Sequence, residues 1–329
     1  MIARRHLLAG AALAAVLAPG SVPAQPTARL PRLGLLLSET AAGQASRLAA
    51  LRAGLRERGY VEGSSIAIET RAADGEYARL PALAAELARL RVDVLVGFGS
   101  KAVLAARQAS TAIPIVAPVL GDPIAIGVTR SLARPDGNVT GSAILTIELF
   151  AKQIELLKEL VPKAARVAVL VNPANATGSA ASMKEAMRRA EQALALKLEP
   201  VEVRAAKDLE AALAGLARRR ADAAHVWSDT LFRSNAAAIA RMALAQRLPT
   251  VGTREFAEAG HLAGYGANDA ELYARGAYFI DRLLRGAKVA DLPIEQATRF
   301  ELVVNRRTAA ALGIGVPASV LLRADRVIE

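Results

Sequence analysis

The residues with the clearest chemical potential sit at the ends of apolar runs. In "VDVLVGFGSKAVLAARQ", Val92 to Gln108, a β-branched run meets Gly97-Phe98-Gly99-Ser100-Lys101-Ala102 and then an alanine-rich helical pattern. This is the G-x-G-x-x-A arrangement of a turn that places a pyrophosphate on a helix N-terminus. The free N–H groups at Ser100 and Lys101 would favour any anion, a carboxylate as much as a phosphate. The alternative is that Gly97 and Gly99 only let strand and helix approach. Asp122, in Gly121-Asp122-Pro123, offers a carboxylate for an ammonium group through a charge-assisted hydrogen bond, or else serves its own turn. Asp229, in "WSDTLF" beside Ser228, offers the same chemistry, or else caps the helix that follows.

Further polar residues fall at comparable places: Ser38-Glu39, Asn172 and Asn175 in "VNPANAT", Thr253, and Tyr265 and Asn268 in "GYGAND". Trp227, Phe98, Phe232 and Phe256 are the aromatics able to hold a ring, and each suits a core equally well.

Covalent and metal chemistry finds little to work with. There are 3 histidines, His6, His225 and His261, too far apart for ligand spacing, and no H-E-x-x-H, G-x-S-x-G or Gly-Lys-Ser/Thr loop. "EGSSI" has no base in reach, and His225 on an apolar strand reads as a core residue. With 0 cysteines, thiolate catalysis, disulfides and Cys-zinc sites are excluded. No metal site and no cofactor are expected. NAD binding is disfavoured because the glycine pattern lies on the third strand and Asp122 enters a Pro turn.

The elements that position these residues alternate regularly. Strand-like runs begin near Leu33, Ile66, Val94 and Ile115, and a second set near Val167, Leu198, Ala223 and Pro249. Between them lie leucine stripes at helical spacing, such as Leu80-Leu83-Leu87-Leu90. Continuous apolar strands separated by helices imply parallel sheets covered on both faces. The fold class expected is α/β, two doubly wound lobes joined around Arg134 to Glu148. Ligands of such sheets bind beyond the carboxyl ends of the strands, where the polar residues above lie.

A chain of 329 residues with 53% hydrophobic and 4% aromatic residues must build cores of Ala, Leu and Val. The formal charge of +11 is spread along helix faces, without the basic–aromatic interleaving that stacks bases, so no nucleic acid is expected as a partner. At the N-terminus, Arg4-Arg5 precede an apolar run from Leu7 to Leu17, too short to span a bilayer. It reads as a secretory signal peptide, residues 1–24, cut near Ala24. Its removal takes off two arginines and leaves +9. The best later apolar segment, Ala112 to Val128, holds Asp122 and three prolines.

Four long stretches, "PIVAPVLGDPIAIGVTRSLARPDGNVTG", "RVAVLVNPAN", "LPTVGTREFAEAGHLAGYGAND" and the C-terminal segment from Asp291, resemble the exported substrate-binding proteins of ABC transporters, tryptophan/tyrosine type. The resemblance runs through essentially the whole mature chain. It implies the type 1 periplasmic-binding-protein fold: two lobes, three crossovers, and closure on a ligand between them. It implies a first lobe of residues 32–142 plus 268–290 and a second of 143–267 plus 291–329. It further implies a non-enzymatic periplasmic monomer that takes a small molecule, an amino acid or related carboxylate, to an ABC permease and ATPase in the inner membrane. The ligand-binding set expected is Ser38, Glu39, Ser100, Gly121, Asp122, Asn172, Asn175, Ser228, Asp229, Thr253, Tyr265 and Asn268. A periplasmic receptor that senses without transport, and a nucleotide-dependent α/β enzyme, are the alternatives.

Overall fold

The computed structural model describes residues 29–174 and 180–329. The expected signal peptide and Asn175 lie outside them.

Six strands build the first sheet: β1 (Arg32–Leu37), β2 (Ala67–Ala72), β3 (Val94–Phe98), β4 (Ile115–Leu120), β5 (Val139–Ala143) and β11 (Ile294–Gln296). All pair in parallel, in the order β11-β5-β4-β3-β1-β2. The period-2 alternation of side chains assigns the two faces. Leu33, Leu35 and Leu37 pack with α1 (Ala45–Arg56) and α10 (Asp269–Leu284) through Leu48, Leu51, Leu55, Phe279 and Ile280. Leu36 and Leu95 face the other way, onto α2 (Leu80–Arg89) and α3 (Ser100–Ala109). A strand buried on both sides has no polar face to spend, which is why "RLGLLL" and "VLVGF" carry none.

The second sheet has the order β13-β12-β10-β9-β8-β6-β7, from β6 (Arg166–Val171), β7 (Lys197–Glu202), β8 (Ala223–Val226), β9 (Thr250–Gly252), β10 (Ala263–Ala267), β12 (Phe300–Asn305) and β13 (Arg326–Ile328). Its pairs are parallel except β10 with β12. It is covered by α4 (Thr146–Leu160), α5 (Ala180–Leu194), α6 (Leu209–Arg218), α8 (Ala236–Ala245), α11 (Arg306–Leu312) and α12 (Ala318–Arg323), with two short helices, α7 (Thr230–Ser234) and α9 (Arg254–Glu258), at its strand ends.

The chain passes between the sheets three times. It leaves the first sheet after β5 through Ile144-Leu145 into α4, returns after β10 through α10, and leaves again between β11 and β12. The last passage differs from the boundary read in the sequence, which put all of 291–329 in the second lobe. β11 instead extends the first sheet, pairing Ile294 with Gly141, while Ile294 N donates to Leu132 O at 2.8 Å. Buried Leu292 and Ile294 fix it there.

Both sheets share one topological feature. In the first, the chain winds outward in one direction from β1 to β2 and in the other from β3 to β5, so the direction reverses between β1 and β3. In the second it reverses between β6 and β8. A crevice opens beyond the carboxyl ends of strands at such a switch point. Ser38 and Gly99 stand at the first, Asn172 and Trp227 at the second. Among the described residues, no helix is long and apolar enough to cross a membrane.

Candidate functional site

The first lobe brings the ends of β1, β3 and β4 together. Gly97 is there for steric reasons: a Cβ would sit 2.5 Å from Val103 Cγ2 and 2.9 Å from its backbone N. Gly99 has φ +98°, a conformation that a side chain would strain. The glycine pattern therefore serves the tight strand-to-helix turn that brings the α3 N-terminus to the sheet edge. Ser100 Oγ accepts from Gly121 N at 3.0 Å and so ties β3 to β4. Ser38 and Glu39 follow β1 and are almost completely buried.

The second lobe answers from the ends of β8, β9 and β10. Asp229, 1% exposed, uses Oδ1 to cap α7, accepting from Leu231 N at 2.8 Å, and takes Asn172 Nδ2 at 3.2 Å from across the switch point. Its Oδ2 accepts from Tyr77 Oη, of the first lobe, at 3.1 Å. Arg233 on α7 reaches toward two first-lobe acids, at 3.9 Å from Glu39 Oε1 and 3.8 Å from Asp269 Oδ2. Arg47 holds Asp269 from the other side, with Nε and Nη2 both 2.9 Å from Oδ2, and lies 3.8 Å from Glu39. Contacts that cross between lobes at these distances make this a closed arrangement.

Between the lobes lies one largely enclosed cavity. Measured to the centres of water-sized spheres its space is about 60 Å³, where a single water needs roughly 10–15 Å³. That suits a small solute and not a dinucleotide. Its lining includes a charged group, Asp229, Arg233, Glu255 and Asp269, and an apolar and aromatic group, Leu149, Phe150, His225 and Trp227. Phe150 lies 4.9 Å from both the Trp227 and His225 ring centroids.

Four acids, Glu39, Asp229, Glu255 and Asp269, surround Arg47 and Arg233, with Arg254 Nη1 3.7 Å from Glu255 Oε1 and Lys101 also on the cavity wall. Burial raises Glu39 and Asp229 above the usual carboxylate range, against the pull of the arginine charges and hydrogen bonds around them. Burial, helped by the negative charge of Asp269, pushes Glu255 up to about 7. Several buried polar atoms here have no hydrogen-bond partner among the described residues: Ser38 Oγ, Glu39 Oε1, Arg233 Nε, Thr253 Oγ1 and Glu255 Oε1. Such atoms are rare in folded chains, and their clustering marks a place built to meet something else.

The family model for ABC transporter substrate binding proteins matches residues 42–328. The chain belongs to this family. A tyrosine-binding protein of Clostridioides difficile (strain R20291) is 26% identical over 262 residues, 78% of this chain and 74% of that protein. A conserved domain protein of Vibrio cholerae superposes with TM-score 0.84 at 25% identity, covering 91% of this chain and 100% of that one. A domain from Streptococcus pneumonia solved with L-Trp superposes with TM-score 0.83 at 24% identity, again over 91% and 100%. The fold is that of type 1 periplasmic binding proteins, and the chain is a solute-binding component of an ABC importer.

In this binding protein the sequence-predicted residues separate into groups. Ser100, Gly121, Ser228, Asp229 and Thr253 line the cavity. Ser38 and Glu39 stand just behind it, Glu39 within the charged cluster. Asn172 positions Asp229. Three others are corrected. Asp122 is occupied by its own turn, where Oδ1 accepts from Ile124 N and Ala125 N, both at 3.1 Å. Tyr265 stacks on Phe300 with centroids 5.9 Å apart and lines grooves outside the cleft. Asn268 caps α10 and donates to Glu301 at 3.2 Å. Phe98, Phe232 and Phe256 belong to the core, whereas Trp227 and Lys101 line the cavity. We expect Asp122→Ala to leave ligand affinity within twofold while costing about 1 kcal/mol of stability from the lost turn cap; calorimetry beside a denaturant titration checks both.

Tyr77, Phe150, Gln153, Arg233, Glu255 and Asp269 also line the cavity and were not in the ligand-binding set expected from the sequence. Three of them sit a few residues past a candidate: Arg233 after Asp229, Glu255 after Thr253, Asp269 after Asn268. Reading one helical turn beyond each strand end would have found them.

Proposed function

We propose that the protein captures an α-amino acid with an aromatic side chain and delivers it to the permease and ATPase of its importer, acting as a monomer and without catalysis. The carrying observation is the joining of a charged cluster and an aromatic wall in one cavity. The carboxylates of Asp229, Glu255 or Asp269 would receive an ammonium group. Arg233 and the N–H groups that open α3 suit a carboxylate. Phe150 and Trp227 would hold the ring. The relatives with bound or named ligands, L-Trp and tyrosine, support the same class. The leader read in residues 1–24 supports export to the periplasm.

Closure follows from the same charges. With the lobes apart, Arg233 and the acids facing it are solvated. With the lobes together they are desolvated, and the two ends of a zwitterion complete their partners. The ligand thus binds the closed form better than the open one and shifts the population toward it, which is the form a permease can distinguish. A dissociation constant near micromolar, about −8 kcal/mol, would serve such capture.

Thermal shift with tyrosine, tryptophan and phenylalanine, each beside its deaminated and its decarboxylated analogue, tests the proposal. An amino acid at 100 times its dissociation constant should add about 2.7 kcal/mol and raise the melting temperature by a few degrees. Both truncated analogues should lose most of that shift. A deaminated acid that binds as well as its parent would remove the ammonium site.

A further inference from the structure

His225 is buried on β8, yet it lines the cavity together with Gln153, Phe150 and Trp227. Its protonation is determined by a chain of hydrogen bonds. The Tyr265 carbonyl, on β10, can only accept. Gln153 therefore turns its amide nitrogen to it, with Nε2 donating at 2.6 Å. The Gln153 carbonyl oxygen is then left facing His225 Nε2 at 2.7 Å. An amide oxygen can only accept, so Nε2 carries the proton. Burial lowers the imidazole to about 3, so the ring is neutral and holds no second proton. Nδ1 is then a bare acceptor, and it has no partner among the described residues. The rings packed against His225 are Phe150 and Trp227.

We propose that His225 Nδ1 accepts a hydrogen bond from a donor on the ligand's ring, so that this residue selects aromatic amino acids bearing a phenol O–H or ring N–H over phenylalanine. Gln153 and the Tyr265 carbonyl act as positioning groups that fix the accepting tautomer. This rests on the reading of the cavity as an amino-acid site. Occupancy by phenylalanine leaves a buried acceptor desolvated and unpaired, whereas the phenol restores the bond that Nδ1 lost on burial.

The test is calorimetry with tyrosine, O-methyltyrosine and phenylalanine on the wild type and on His225→Phe, which keeps a ring against Phe150 and removes the acceptor. The wild type should prefer tyrosine to phenylalanine by about 10- to 100-fold, and O-methyltyrosine should lose that preference because it has no proton to give. In H225F the tyrosine-to-phenylalanine ratio should fall close to one. Equal wild-type affinities for tyrosine and phenylalanine overturn the role of His225 but leave the amino-acid site intact. Failure of all three ligands to bind overturns the site as well. Nitrogen-15 NMR of the wild type gives a reading that does not depend on a variant folding. It should show an unprotonated Nδ1 whose resonance moves on adding tyrosine and not on adding phenylalanine; a protonated Nδ1 in the free protein overturns the proposal.

Discussion

Replacing Arg233 with methionine is expected to weaken capture of an aromatic amino acid at least 100-fold. Among the described residues it is the cation that the second lobe presents to Glu39 and Asp269 of the first, at 3.9 and 3.8 Å. Its Nε has no hydrogen-bond partner among the described residues. Removing it does two things at once. The ligand carboxylate loses its guanidinium, and Glu39 and Asp269 keep only Arg47 of the two cations that face them in the closed cleft. Uncovering a buried charge in this way costs about 3–5 kcal/mol, and each 1.4 kcal/mol is a factor of ten in affinity. The cost falls on the closed form, in which these acids are buried. Calorimetry should show the weakened affinity. Scattering should show the variant failing to contract when tyrosine is added. Arg233→Lys should recover part of the affinity, since it restores the charge without the planar fork that matches a carboxylate. An affinity for R233M within threefold of wild type would remove this residue from the mechanism.

What was legible in the sequence follows from what burial forces on it. Strands covered on both faces must be apolar throughout, so "RLGLLL", "VLVGF" and "RVAVLV" announced themselves, and with them the polar residues at their ends. Ser100, Ser228, Asp229 and Thr253 were found because the end of a parallel strand is where such sheets bind. Asp122 was misread because a strand-end carboxylate looks the same in sequence whether it faces a cleft or folds back on Ile124 N and Ala125 N. Arg233 and Glu255 were invisible because each lies on a five-residue helix, too short for a periodic pattern. Their meaning depends on first-lobe acids more than a hundred positions away or on the turn of α10 into the cleft. His225 was read as a satisfied core residue, and half of that holds: Nε2 has Gln153, while Nδ1 has no partner among the described residues. No spacing rule could distinguish the two nitrogens, since the partner of one is set by a carbonyl on another strand.

Glu255 should make the stability of the unliganded protein fall as the pH rises from about 4.5 to about 7. Its carboxyl is pushed from the ordinary 4.5 up to about 7 by burial and then by the Asp269 charge beside it. In that interval the folded chain holds a proton that the unfolded chain has released. Stability must then decline with rising pH, being fully present below about 4.5 and lost by the time the pH passes 7. Glu39 and Asp229, raised by burial as well, act in the same direction. At 1.36 kcal/mol for each unit, Glu255 alone accounts for on the order of 3 kcal/mol, or roughly 6 °C in melting temperature. Glu255→Gln keeps the shape and removes the titration, so the difference between wild type and variant isolates this group from every other acid. The two melting curves should meet near pH 4.5 and diverge toward pH 8, with the variant the more stable; parallel curves would show that Glu255 does not titrate in this window. A ligand ammonium placed against the carboxylate favours its charged form and displaces the proton. The stabilisation conferred by an amino acid should accordingly grow more steeply between pH 5 and 7 in the wild type than in E255Q, where Asp229 remains. The same acid that destabilises the unliganded closed cleft at neutral pH thereby draws the cationic end of the ligand into it.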